Sequence, residues 1–92
     1  MNLKTLIFND LNPCKIRKPF EKVLSQLERG DFSSAEVKKM AGTDFYRAKI
    51  DYENRLLFKI GHINNKYYLL ILEIIFNHAY EKSRFLICLK NT

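Results

Sequence analysis

The segment that most constrains the fold is residues 67–76, which is apolar at every position except Glu73. A strand with apolar side chains on both faces is typical of the interior of a sheet, where neighbouring elements cover it. The run is far shorter than the roughly 20 residues that a membrane-spanning helix needs, and no charged-then-apolar signal segment opens the chain. We therefore expect a soluble, cytoplasmic protein without membrane contact, built around this strand.

Two earlier segments, residues 45–51 and 55–60, alternate with the period of two that is typical of strands. The connection between them, residues 52–54, predicts a three-residue hairpin loop in which Asp51 pairs with Arg55 and Asn54 adopts the left-handed conformation. This register gathers the apolar rows on one face of the sheet. The opposite face then carries the cations of both strands, which are Arg47, Lys49, Arg55 and Lys59.

The segments before this hairpin have helical periodicity. The first, from Asn12-Pro13 to Gly30, places these apolar residues on one face: Ile16, Phe20, Val23, Leu24 and Leu27. The second is predicted to begin at Ser33, with Glu36 at the spacing of a capping box, and to end at Gly42. Its inward-facing residues would be Val37, Met40 and Ala41.

Together these elements predict an α+β fold in which two N-terminal helices pack on a mostly antiparallel, twisted, four-stranded sheet. Residues 2–9 supply the opening strand, and residues 81–90 form a short terminal helix or a last edge strand, with the helix favoured. A chain of 92 residues builds one hydrophobic core, so residues 1–92 are expected to form a single domain. Cys14 and Cys88 fit neither a disulfide scaffold nor a metal-ligand spacing.

The chain is basic, with 16 Lys and Arg against 10 Asp and Glu and a net charge of +6. Such an excess favours a polyanionic partner, although a modest positive charge also serves solubility alone. Alternating cations on a strand are likewise typical of an ordinary solvated face. The helix cations Lys15, Arg17, Lys18 and Lys22 are more typical of a solvated helix face than of a second anion-binding surface.

The cationic strands and the following His78 and Tyr80 supply the groups that phosphodiester cleavage needs. Arg and Lys bind phosphate and stabilise developing negative charge, and His or Tyr can carry protons. RNA brings its own nucleophile, the 2′-hydroxyl group, so ribonuclease chemistry requires neither a metal ion nor a protein nucleophile. Taken alone, His78 is also typical of an ordinary turn histidine.

The stretch FYRAKIDYENRLLF at residues 45–58, with the order of elements, resembles the RelE/ParE toxin superfamily, in particular its RelE and HigB-like mRNA interferase branch. The shared pattern is an aromatic residue, Arg47 and Lys49 on one strand, a short turn, and Arg55 followed by apolar residues. The segment NHAYEK at residues 77–82 also resembles the late His/Tyr segment of that family. The resemblance covers nearly the whole chain.

This resemblance implies a RelE-like fold and the toxin of a toxin–antitoxin system, an endoribonuclease that cleaves mRNA in the ribosomal decoding site. Attack by the 2′-hydroxyl group would give a 2′,3′-cyclic phosphate and a free 5′-hydroxyl group. Lys49 and His78 are the implied proton-transfer residues, and Arg55 would stabilise the pentavalent phosphate. Tyr80 would stack on or hydrogen-bond the target nucleotide. The implied RNA-binding residues are Arg47, Lys59 and Lys82.

The implied partners are the cognate antitoxin protein, the ribosome and mRNA, with no metal ion and no small-molecule cofactor. The chain departs from the RelE-type pattern at Glu73 and Asn77, where that pattern often has a further Arg. Two alternatives stay open. The ParE branch implies a DNA gyrase inhibitor without nuclease activity, and a RelE-like fold can also serve as a non-catalytic binding module.

Overall fold

The computed structural model of the protein describes residues 4–7, 11 and 14–78. The longer elements are β1 (Lys4–Ile7), α1 (Arg17–Glu28), β2 (Lys38–Lys39), β3 (Phe45–Lys49), β4 (Arg55–Ile63) and β5 (Lys66–Ile75), with short 3-10 helices at Cys14–Ile16 and Phe76–His78. The strands form one sheet in the order β1-β5-β4-β3-β2. β1 runs parallel to β5, and the other neighbours are antiparallel. The prediction for residues 81–90 lies outside the described residues.

The predicted RelE-like arrangement of two helices on a four-stranded, mostly antiparallel sheet is wrong. Within the described residues there is one α-helix, and the sheet is mixed and has five strands. Residues 33–42, expected to be helical, form turns around the short strand β2. Glu36 has a φ of 50°, in the left-handed region that a right-handed helix excludes. Val37 and Met40 pack into clusters on opposite faces of the sheet, so their helix-like spacing does not mark one helix face.

The helix α1 presents the predicted apolar face to the sheet. Phe20, Val23 and Leu27 are buried in the core. Pro19 lies in the first turn, where its missing N–H group removes no intrahelical hydrogen bond. The predicted end is confirmed, because Gly30 has a φ of 78° and donates its N–H group to the Leu27 carbonyl oxygen at 3.0 Å. No helix in the described part of the chain is both long and apolar enough to cross a membrane.

The main core lies between α1 and one face of the sheet. Strands β3 to β5 contribute to it the buried residues Ala48, Leu56, Phe58, Leu69, Ile71 and Ile74. The Tyr46 ring stacks on Phe58 with 5.6 Å between centroids. Burying a large apolar side chain contributes about 1.5–3 kcal/mol, so this layer holds α1 against the sheet.

The β3–β4 hairpin pairs Lys49 with Arg55 and Phe45 with Lys59. The predicted pairing of Asp51 with Arg55 is therefore wrong by two residues, and the connection consists of residues 50–54. A shift of two residues leaves every side chain on its predicted face, because strand side chains alternate with a period of two. The left-handed conformation predicted for Asn54 is also wrong, since it is found instead at Asn64, Asn65 and Asn77.

The face of the sheet that points away from α1, here called the second face, carries a small apolar cluster as well as cations. Leu57 and Ile75 are buried there, with half-buried Met40 and Phe45 packed against them. β5 lies between β1 and β4, so its prediction as an interior strand, apolar on both faces, is confirmed. The second face is thus part of the packed interior around Leu57 and not only a solvated surface.

Replacing Leu57 with Ala tests this packing. Because Leu57 is fully buried on the second face, we expect the variant to lower the free energy of unfolding by about 2–5 kcal/mol, as truncation of a core leucine does. Urea denaturation followed by circular dichroism measures the change. The matched control is Ile63→Ala, since Ile63 is 53% exposed and such surface changes stay within about 0.5 kcal/mol. A Leu57 effect as small as that of the control would contradict the packing.

Candidate nucleic-acid interface

The strand register places the predicted cations of the hairpin on the second face. Arg47 and Lys49 come from β3, Arg55 and Lys59 come from β4, and all four side chains are half-buried. Lys38 of β2 pairs with Arg47 and extends this row toward the edge of the sheet. Lys38 was not predicted, because a two-residue strand has no periodicity that marks it in the sequence. The second face therefore gathers cations from three consecutive strands.

At one end of this row, Lys49 and Arg55 are direct cross-strand neighbours. Opposed residues of an antiparallel pair have Cβ atoms about 4.5–5.5 Å apart, so two like charges there are unfavourable unless other groups compensate them. Lys49 Nζ lies 3.4 Å from Glu36 Oε2. Arg55 Nη1 donates to the carbonyl oxygens of Asp51 at 2.7 Å and of Asn54 at 3.0 Å. Separate partners thus hold the two cations side by side.

The loop that joins the two strands is closed by the Asp51 carboxylate. Asp51 Oδ1 accepts the backbone N–H groups of Glu53 at 2.9 Å and Asn54 at 2.8 Å. Asn54 Nδ2 donates to both carboxylate oxygens at 3.0 Å, and the Asn54 side chain is buried. An aspartate that accepts N–H groups two and three residues further along is a recurrent way to form a turn. This network fixes where β4 begins and so fixes the pairing of Lys49 with Arg55.

The electrostatics of the loop favour the ionised form of Asp51. Partial burial raises the pKa of its carboxyl group, but hydrogen bonds from the Asn54 side chain and from the backbone N–H groups of Asn54 and Glu53 lower it. The positive charge of Arg55 lowers it further, and the net result is a pKa below the ordinary value of 3.8. The loop is therefore most stable while Asp51 is charged.

The same loop holds the end of β5. Asn54 Oδ1 accepts the backbone N–H group of Asn77 at 3.1 Å, and Asn77 has a left-handed φ of 53°. Arg55 pairs with Ile75 across the β4–β5 interface. The backbone that leads into His78 is thus fixed beside Arg55. The His78 side chain, Tyr80 and Lys82 lie outside the described residues.

The second face also carries one carboxylate of β5. Glu73 and Arg47 both pair with Leu57, from the two sides of β4. The nearby carboxylates are therefore Glu73 and Glu36, the partner of Lys49. The cations of the row outnumber them, and they are Lys38, Arg47, Lys49, Arg55 and Lys59. The surface can therefore bind an anion with several charges, such as consecutive phosphates, through Arg and Lys contacts. In the part of the chain that is described, no group of three His, Cys, Asp or Glu side chains could hold a metal ion.

Comparison of the chain with protein-family models, with curated proteins and with solved structures finds no match. The geometry of the second face brings Lys49 and Arg55 into direct pairing and places Arg47 and Lys59 on the same face.

Replacing Asp51 with Asn tests the loop through its pH dependence. A carboxyl group with a lowered folded-state pKa stabilises the fold above its unfolded pKa, near 3.8, and this stability is lost as the pH falls through the folded value. We expect Asp51→Asn to lower the free energy of unfolding at pH 7 by about 1 kcal/mol, because hydrogen bonds to a charged acceptor are stronger. The difference from wild type should vanish well below pH 3.8.

Urea denaturation at a series of pH values gives this difference directly. The control is Asp44→Asn, which removes a carboxylate from an exposed position and makes the same change in net charge. A wild-type minus Asp51→Asn difference that stays constant down to strongly acidic pH would contradict the charged-loop interpretation.

Proposed function

We propose that the second face binds RNA and that the chain is a metal-independent endoribonuclease, the toxin of a toxin–antitoxin system. The observation that carries the proposal is the direct pairing of Lys49 with Arg55 beside the backbone that leads into His78. Two cations from separate strands thereby lie side by side near the end of β5, and attack on a single phosphate requires such groups to converge on one position. Half-buried cations on a rigid sheet are also held in place before the ligand arrives, which reduces the cost of binding.

The proposed chemistry uses the RNA itself as nucleophile. The 2′-hydroxyl oxygen attacks the adjacent phosphorus and loses its proton, the bond from phosphorus to the 5′-oxygen breaks, and that oxygen gains a proton. Lys49 and His78 are the proposed pair, one accepting and the other donating a proton. Arg55 stabilises the negative charge that develops on the phosphate, and Arg47 and Lys59 hold neighbouring phosphates.

The resemblance to the RelE branch supports this proposal through the hairpin. The stretch that carries the resemblance, residues 45–58, corresponds to β3, the β3–β4 loop and the first part of β4. Tyr80 and Lys82 keep their proposed roles in nucleotide stacking and RNA binding. The proposed partners are translated mRNA on the ribosome and an acidic antitoxin segment that covers the second face, and the proposed location is the cytoplasm. A net charge of +6 favours each of these anionic partners.

A second candidate function is RNA binding without cleavage, and the contacts of Arg55 favour it. Its Nη1 atom donates to the carbonyl oxygens of Asp51 and Asn54, so Arg55 has a structural role in the loop. A cation with this role can keep the hairpin in shape while the remaining cations bind phosphates. The two functions share the second face and differ in whether RNA is cut.

Expression in a bacterial host separates the two functions. We expect wild type to stop growth and to create new 5′-hydroxyl ends within translated messages, and Lys49→Gln/His78→Ala to do neither, because the proposed proton-transfer pair is gone. Growth curves and mapping of transcript 5′ ends are the measurements. Arg55 is left unchanged, since its replacement would also remove the hydrogen bond that it donates to the Asp51 carbonyl oxygen in the loop.

The matched control is His62→Ala/Lys66→Gln, which makes the same two changes at exposed positions near the β4–β5 turn. This control should behave as wild type. Wild-type expression without new RNA ends would refute the nuclease and favour RNA binding without cleavage if RNA still binds. Growth arrest without RNA binding or new ends would point to a target other than RNA.

RNA binding by the second face should depend on salt. Neutralising a phosphate releases counterions, so each lost contact to single-stranded RNA lowers the slope of log affinity against log salt by about 0.7. We expect Arg47→Gln/Lys59→Gln to weaken binding of a fluorescent oligoadenylate and to reduce this slope by about 1.4. Fluorescence anisotropy at several salt concentrations measures both, with Lys4→Gln/Lys66→Gln as the exposed control pair. A wild-type affinity that is independent of salt would argue against the interface.

A further inference from the structure

A cleft of about 160 Å³ lies between α1 and the turn that precedes β2. Its polar lining comes from Lys22, Gln26, Ser34, Glu36 and Lys49. We propose that this cleft is a second phosphate-binding site, adjacent to the second face, and that the Glu36 carboxylate takes the place of the phosphate when no ligand is bound. In assigning the phosphate to RNA, the proposal rests on the proposed function.

The cleft brings together two cations that are far apart in sequence. Lys22 comes from α1 and Lys49 from the end of β3. Gln26 and Ser34 add a side-chain amide and a hydroxyl group, both of which can donate hydrogen bonds. Two lysines and two neutral donors thus line one small open volume, and a phosphate group has the charge and the acceptor oxygens to bind such a set of residues. The volume is similar to that of a cavity that holds one six-membered ring.

Glu36 is already the anion of this cleft. Its Oε2 atom lies 3.4 Å from Lys49 Nζ, and the two side chains are 60% and 39% exposed. Exposed ion pairs contribute little to stability, because water solvates both charges when they separate. A phosphate that contacts Lys49 and Lys22 together can therefore displace the carboxylate.

The backbone keeps Glu36 close to Lys49. The Lys49 N–H group donates to the Ala35 carbonyl oxygen at 2.8 Å, and Ala35 is buried. The Glu36 N–H group donates to the Ser33 carbonyl oxygen at 3.1 Å, which closes the turn with Glu36 in the left-handed region. The Glu36 carboxylate, attached to this fixed backbone, stays near the Lys49 ammonium group, so it competes with any anionic ligand that binds Lys49.

Lys49 joins the cleft to the second face. It pairs with Arg55 across the hairpin and shares the cleft with Lys22. An RNA strand with consecutive phosphates can contact Arg55 and the cleft at once, whereas Glu36 gives Lys49 only one negative charge. The competition therefore favours ligands with several phosphates over single anions.

Removal of the competing charge tests the proposal. We expect Glu36→Gln to tighten binding of a fluorescent oligoadenylate by about two- to fivefold at low salt, the range for loss of one exposed ion pair. In a Lys49→Gln background the gain from Glu36→Gln should fall to that of an ordinary change of one charge, because the carboxylate then has no bound ammonium group to release. Glu21→Gln, an exposed change of equal charge on α1, should give a smaller gain that is the same in both backgrounds.

Two results would overturn the proposal: equal gains from Glu36→Gln and Glu21→Gln in wild type, or a Glu36→Gln gain that is as large in the Lys49→Gln background as in wild type. Titration with inorganic phosphate, followed by NMR of the Lys22 and Lys49 ammonium groups, distinguishes the source of the ligand. Phosphate binding that Glu36→Gln strengthens, without any RNA binding, would keep the site while the proposed function fails. RNA binding that depends on Arg47 and Lys59 but ignores Glu36 would keep the proposed function while this inference fails.

Discussion

The hydrogen bonds of the Asp51 carboxylate organise the hairpin on which the candidate site depends. By accepting the N–H groups of Glu53 and Asn54, the carboxylate ends β3 and starts β4 at defined residues. That choice sets the register in which Lys49 faces Arg55. Through Asn54, the same network reaches the N–H group of Asn77 at the end of β5. The Asp51 carboxylate, with Asn54, thus connects the loop to the pairing of Lys49 with Arg55 and to the end of β5.

Burial on both faces of β4 gives this arrangement its rigidity. Leu56 and Phe58 pack toward α1, while Leu57 packs on the second face with Ile75. Arg55 and Lys59 each lie two residues from Leu57 on β4. Their backbone therefore belongs to a strand that is packed on both faces. Their backbone positions are fixed by apolar contacts in addition to the strand hydrogen bonds. A binding surface with this foundation loses little conformational freedom when a ligand binds.

The sequence predicts the elements whose periodicity is long and strong. The apolar face of α1, the alternation through β3 and β4 and the interior position of β5 all follow from residue spacing. The prediction of a second helix is wrong because β2 is too short to show a strand period. Val37 and Met40 lie three residues apart, as on a helix face, but they pack on different faces of the sheet. The predicted hairpin register is wrong because the loop is closed by the Asp51 side chain and not by a left-handed Asn54.

For the candidate site, the alternation of side chains along a strand is enough to place four cations on one face, which are Arg47, Lys49, Arg55 and Lys59. Lys22 and Glu36 reach Lys49 only through tertiary packing, so their spacing in sequence carries no signal of it. Because β1 pairs in parallel with β5, its hydrogen bonds to that strand form only after β5, the last described strand, has been made. Pairing between strands so far apart in sequence is slow. The described sheet is therefore completed only after nearly all of the described chain has been made, so its edge strand β1 is the last part of the sheet to gain its hydrogen bonds during synthesis.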